Sequence, residues 1–152
     1  MSGTMHEFTL PEGSPSVGGV RLRCRASTLM SRVRRNTKLY AILRLRRARR
    51  LREALGALRK LARQRPTEAM VYFYLAVTLD NMGRERAAIP RYHRALRLDP
   101  RHPHTGKINL YLASSYCKTG RPRAARRYLD RATAIGIKSA LQRRIGRLLE
   151  RE

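Results

Sequence analysis

The feature that most constrains this chain is internal self-similarity at a period near 34 residues. Stacked at that period, Leu39-Tyr40-Ala41-Ile42, Phe73-Tyr74-Leu75-Ala76 and Leu110-Tyr111-Leu112-Ala113 fall in register, the tyrosines 34 and then 37 residues apart. A second matching block follows each of them: Glu53-Ala54-Leu55, Ala87-Ala88-Ile89 and Ala124-Ala125-Arg126. Pro66 and Pro100 close the first two units. A unit of this length cannot cover its own apolar face, so the repeats have to stack on one another.

The middle unit shows what each repeat is made of. Tyr72, Leu75, Ala76 and Leu79 recur at spacings of three and four, which places them on one face of a helix. Met82-Gly83 ends that helix, because glycine takes the left-handed conformation without a Cβ clash. A second helix carries Ala88, Tyr92, Ala95 and Leu96 on one face and stops at Asp99-Pro100, where proline pushes its predecessor out of the helical region. Pro90 interrupts the hydrogen-bonding pattern near the start of that second helix and predicts a mild kink. The unit is a helix–turn–helix with its two apolar faces meeting.

At these residues the chain resembles the tetratricopeptide-repeat (TPR) family. Tyr72, Leu75, Ala76, Leu79, Gly83, Ala88, Tyr92, Ala95 and Pro100 stand where that family places its characteristic residues, with Ala69 as the first of the unit. The small residues have a physical reason: helices approach closely there, and larger side chains would overpack. The third unit agrees at Leu112, Ala113, Tyr116, Gly120, Ala125, Leu129 and Ala132, and Gly120-Arg121-Pro122 reads as a helix stop followed by a start. Ile137 replaces its closing proline, and extra residues around His102-Pro103-His104 lengthen the loop before it. The first unit is degenerate: Ala54, Leu58 and Pro66 fit, but Ile42 replaces a small residue and Arg49 replaces the glycine. The run from Leu79 to Pro90 also resembles small uncharacterised bacterial tetratricopeptide-repeat proteins.

The expected fold is all-α, a right-handed α-solenoid of helix–turn–helix repeats with a C-terminal capping helix. Its divisions are a disordered basic arm over 1–34, a degenerate repeat over 35–68, repeats over 69–105 and 106–139, and a cap over 140–152. The cap rests on Leu141, Ile145, Leu148 and Leu149, an apolar stripe among arginines on a helix of about fifteen residues. Proline, glycine and serine without periodicity predict the disordered arm. The acid-free stretch from Gly13 to Arg52 also resembles an organelle transit peptide in composition, although an unstructured arm or an over-long start reads the same residues more simply.

The resemblance implies a concave groove lined by the first helix of each unit. Carried over residue by residue, it offers Tyr40, with Leu39, Leu43, Arg46 and Arg47, from the first unit. From the second come Met70, Phe73, Tyr74, Val77 and Asn81, with Asp80; from the third come Lys107, Tyr111, Ser114 and Lys118, with Leu110 and Cys117. Tyr40, Tyr74 and Tyr111 form a ladder that suits an extended peptide, since tyrosine joins a rigid apolar face to a hydroxyl. Packing between neighbouring repeats accounts for the same tyrosines equally well. The asparagines of the family's carboxylate clamp are missing, which argues against a chaperone-tail co-receptor.

Charge is the other unusual property. The chain has 35 basic against 10 acidic residues, a net charge of +25, and 30 of the 35 are arginine. Such a surface attracts polyanions or acidic partners, but an arginine skew is also what GC-rich coding produces. The leading reading is a protein–protein interaction scaffold whose groove takes a peptide or helix of an acidic partner. The alternative is a nucleic-acid-associated protein that uses its arginine-rich surface for non-sequence-specific phosphate binding, with 17 basic and one acidic residue over 21–65. No nucleophile–base–acid set, phosphate-cradling glycine loop or paired carboxylates point to an enzyme or a cofactor. Cys24 and Cys117 lack metal-ligand spacing, and His102 and His104 have no thiol or carboxylate beside them. No apolar run reaches the roughly 18 to 20 residues of a membrane span, and a cytoplasmic location is expected.

Overall fold

The computed structural model describes residues 37–151, so the arm expected over 1–34, and Cys24 with it, lies outside the described residues. Seven helices and no strand occur among those residues: α1 (37–47), α2 (Leu51–Gln64), α3 (Ala69–Asp80), α4 (Glu85–Leu98), α5 (Thr105–Lys118), α6 (Pro122–Ala134) and α7 (Ala140–Leu149). α3 packs on α4 and α5 on α6; α3 also meets α2 and α5, and α7 rests on both α5 and α6. The result is an α-solenoid of three helix–turn–helix pairs closed by a single helix. No helix among the described residues is long and apolar enough to cross a membrane.

Sequence decides which helices lie inside. α3 is apolar on nearly every side and buries Val71, Phe73, Leu75, Ala76 and Leu79; such a helix has to be surrounded. α2, α4 and α6 are amphipathic and bury one stripe each, for example Ala88, Tyr92 and Ala95 on α4. Each fully buried Leu or Val contributes about 1.5–3 kcal/mol relative to exposure. Ala76, Ala88, Ala95, Ala113, Ala125 and Ala132 have no exposed surface at all. Those are the sites of close helix approach that the repeat pattern required.

The turns repeat as faithfully as the helices. In the second unit the amide of Gly83 donates to the Asp80 carbonyl at 3.0 Å and that of Arg84 to Leu79 at 3.0 Å. The third unit does the same with Gly120 to Cys117 at 3.1 Å and Arg121 to Tyr116 at 2.9 Å. In the first unit Arg49 donates to Arg46 at 3.1 Å and Arg50 to Leu45 at 3.0 Å. This is the helix-ending motif that needs a left-handed residue. Gly83 and Gly120 supply φ of 70° and 69°, and Arg49 adopts φ 61° in the place where the other units have glycine.

Two local expectations need correction at the C-terminus. α7 is ten residues long rather than about fifteen; the Ser139 hydroxyl accepts from the Gln142 amide at 3.1 Å to start it, and it ends at Leu149. Leu148 is 47% exposed and stands off the apolar stripe, whereas Ile145 and Leu149 are buried. Successive residues on a helix point about 100° apart, and α7 packs on α5 and α6 along the side that carries Ile145 and Leu149, which leaves Leu148 at the solvent edge.

Candidate groove on the first helices

α1, α3 and α5 carry the residues of the expected groove, and the structure sorts them by access. Met70, Tyr74, Val77 and Tyr111 are half-buried, while Asn81, Lys107 and Lys118 are exposed. Tyr40 is 65% exposed. Phe73 and Ser114 differ from what the groove reading needs: they are only 5% and 8% exposed, closed in by packing between repeats. Leu39 and Leu110 are buried with them.

The aromatic series follows another path than the simple ladder. Phe73 lies between Tyr74, at 5.0 Å between ring centroids, and Tyr111, at 6.3 Å and nearly parallel. Tyr111 in turn meets the buried ring of Tyr92 at 6.2 Å. Phe73 is therefore the element that joins two half-buried tyrosines on successive inner helices. Tyr40 makes no ring contact among the described residues. The guanidinium of Arg46 lies 5.4 Å from the centre of the Tyr74 ring, a cation–π contact.

Burial lowers the pKa of Arg46, opposed by the nearby oxygens of Tyr74, Tyr92 and Tyr111; the guanidinium stays charged regardless. Its Nε is buried without a hydrogen-bond partner, and so is the Tyr92 hydroxyl, which lies beside the Asp80 carboxylate without bonding it well. Burial pushes the Tyr92 phenol far above its ordinary range, with Asp80 adding to the effect. Beneath the groove, then, sits a polar floor that is incompletely satisfied.

Lys118 has a structural engagement that spacing could not reveal. Its ammonium donates to Glu85 at 3.0 Å and to Asp80 at 3.4 Å, tying the end of α5 to the α3–α4 turn. Asp80 also accepts from the Ser115 hydroxyl at 3.3 Å. Burial raises the Asp80 pKa, with Lys118 pulling the other way. The Lys118 charge is favoured, because Glu85 and Asp80 outweigh its own partial burial.

His104 is a contributor that sequence reasoning passed over. Its ring is 5.3 Å from Phe73, and its amide donates to His102 Nδ1 at 3.0 Å. The signal was the lengthened loop before α5, which carries the imidazole to the aromatic series. Burial lowers the pKa of His104, helped by His102 and Lys107. Among the described residues no group of three or more His, Cys, Asp or Glu is placed to hold a metal ion.

Comparison with known proteins fits this architecture. The chain matches no family model. A probable biofilm formation methyltransferase, WspC of Pseudomonas putida, is 32% identical over 101 residues, covering 66% of this chain and 23% of that protein. Among solved structures, MamA of AMB-1 superimposes with a TM-score of 0.58 at 30% identity, over 65% of this chain and 57% of MamA. SycD, a type III secretion chaperone of Yersinia enterocolitica solved with a peptide of the translocator YopD, gives 0.65 at 15% identity, over 76% and 88%. The chain thus spans under a quarter of the methyltransferase and just over half of MamA. MamA and SycD are both of tetratricopeptide type.

Proposed function

Since the chain is a tetratricopeptide-repeat protein, we propose that it is a non-catalytic scaffold that takes a peptide or helix of a partner protein along the groove of α1, α3 and α5. The observation that carries this reading is the half-buried pair Tyr74 and Tyr111, set on successive inner helices and fixed from beneath by Phe73. Rigid aromatic side chains with one face available give contact area at little entropic cost. The occupant meets apolar and aromatic surface in the middle, from Met70, Val77, Tyr74 and Tyr111. It meets positive charge at the α1 end, from Arg46 and Arg47, which favours an acidic residue there. Asn81 and Lys107 supply polar contacts at the rim, whereas Lys118 acts mainly through Asp80 and Glu85. SycD, alike in fold alone, was solved with a peptide, so a peptide is a reasonable occupant for such a stack. We place the scaffold in the cytoplasm, where a thiol such as Cys117 remains reduced.

The test is selection of a peptide library on the full chain, followed by affinity measurement for Tyr74→Ala/Tyr111→Ala. Truncating interface tyrosines costs about 2 kcal/mol or more each, so the double variant should lose well over tenfold in affinity while keeping its helical signal. A double variant that binds the selected peptides normally but melts far earlier would assign the tyrosines to packing and remove the groove as the binding surface.

A further inference from the structure

In the second and third units the basic residues sit on the second helix. α4 and α6 carry four basic residues and one acidic residue each, whereas α3 and α5 together carry two basic and one acidic; α1, in the first unit, carries four basic and no acidic residue. Burial explains part of this, since α3 has no exposed residue. It does not explain the sign, because an ordinary solvated face mixes both charges.

Between α4 and α6 the cations converge on an aromatic support. Tyr128 is buried, and the guanidiniums of Arg127 and Arg131 lie 5.5 and 5.1 Å from its ring centre. His93 of α4 meets the same ring edge-on at 5.5 Å, and its Nε2 is hydrogen-bonded to the Tyr116 hydroxyl at 2.8 Å. Arg97 stands one turn beyond His93 on α4. Burial first, then the charges of Arg97, Arg127 and Arg131, lower the pKa of the imidazole below 6.5 and leave it neutral at pH 7.

Ion pairs among the described residues engage Arg50, Arg65 and Lys118, and Arg97, Arg127 and Arg131 form none. On the α7 side, Arg123, Arg126, Arg127 and Arg131 line an open cleft of about 700 Å³ with Asp130 as its single acid. Arg126 is fixed there by donating to the Leu149 carbonyl at 2.7 Å.

We propose that this outer face of α4 and α6 binds the phosphodiester backbone of duplex nucleic acid without reading its sequence, through Arg97, Arg123, Arg127 and Arg131. Guanidinium forks match phosphate geometry, and here aromatic stacking holds two of them in place before any anion arrives. Four guanidiniums spread over two helices suit an extended polyanion better than one small ion. On α4 and α6 this face exposes no large apolar side chain, Ile135 being the first one beyond the end of α6. It therefore lacks the anchors of a membrane-docking helix and the stacking platform that single strands require. The surface is separate from the groove and stands or falls independently of it.

The experiment measures fluorescence anisotropy of a labelled duplex of about 20 base pairs against the full chain, over roughly 50 to 200 mM salt. Arg127→Gln/Arg131→Gln is compared with Arg47→Gln/Lys107→Gln, which removes the same charge from the groove side. The α6 pair should lose at least tenfold in affinity and flatten the salt slope by about two, while the groove pair stays within about twofold. Equal losses for both pairs would reduce the effect to diffuse net charge and overturn the site. Poly-glutamate that competes at equal charge concentration would overturn the nucleic acid in favour of an acidic protein. A readout in the unmutated chain guards against misfolded variants: bound duplex should shift the His93 ring resonances and raise its titration midpoint toward 6.5. An unmoved His93 would place the ligand elsewhere.

Discussion

Arg49 occupies a position that the other two repeats reserve for glycine, and replacing it should stabilise the fold. The backbone there has φ 61°, beside 70° at Gly83 and 69° at Gly120. A residue with a Cβ spends about 1–2 kcal/mol in that region, while glycine loses about 0.5–1 kcal/mol more chain entropy on folding. Arg49 is exposed and its side chain has no hydrogen bond or ion pair among the described residues, so little else is lost. Arg49→Gly should therefore gain about 0.5–1 kcal/mol, or roughly 2–4 °C in melting temperature. Arg49→Ala keeps the Cβ and removes the same charge, so it separates strain from electrostatics and should gain much less. Gly83→Ala and Gly120→Ala run the argument backwards: a Cβ at either site meets nothing within 4 Å, so each should lose about 1 kcal/mol from conformation alone. Urea denaturation followed by circular dichroism measures all four, with unchanged slopes confirming a common transition. If Arg49→Gly is no more stable than Arg49→Ala, the strain argument fails.

Ala95→Leu, at a fully buried close contact, should destabilise by about 1–3 kcal/mol, and a neutral denaturant melt would show slack that the packing does not suggest. Tyr92→Phe removes a buried hydroxyl that lacks a partner, so its stability should stay level or rise by up to about 1 kcal/mol; a loss above that would reveal a real bond to Asp80. Stability should fall as pH drops from 7 toward 5, because His93 and His104 have pKa values below 6.5 in the fold and the unfolded chain takes up their protons first. That contribution is complete above 6.5 and drains as pH falls through the lowered folded values. The raised Asp80 pKa acts in the opposite sense, so it cannot supply this loss. His93→Gln should flatten the thermal-melt profile against pH, and an unaltered profile would exclude the imidazole as its source.

The fold was largely legible because its determinants recur. Alanine at close contacts, tyrosine and leucine at helical spacing, and glycine or proline at the ends each reappear a repeat later, so one unit checks another. Even the degenerate first unit keeps the backbone of the others, since turn geometry is fixed by the flanking helices and Arg49 is forced into it. The groove was legible only as a set of positions. Helical spacing says which face Phe73 and Tyr74 occupy, but these are adjacent residues near a shared edge. Only tertiary packing decides that Phe73 is closed off while Tyr74 keeps a free side. Lys118 illustrates a second limit, because its partners are 33 and 38 residues away and no local pattern links them.

Charge illustrates a third limit. In sequence, 30 arginines are a composition, and GC-rich coding explains a composition without reference to function. Coding bias has no means of choosing neighbours across helices, yet Arg97 of α4 and Arg127 and Arg131 of α6 gather around His93 and Tyr128. What sets the cluster apart is its aromatic support, since Arg127 and Arg131 lie over the buried Tyr128 ring that His93 meets edge-on. Groove and arginine face also lie on different helices, so a partner in one need not displace a ligand on the other. Binding of a selected groove peptide and of duplex to the full chain should then be additive within about 0.5 kcal/mol, as expected for sites without shared residues. A titration of duplex in the presence of saturating peptide measures that coupling directly. Strong competition between them would mean that the two surfaces are one.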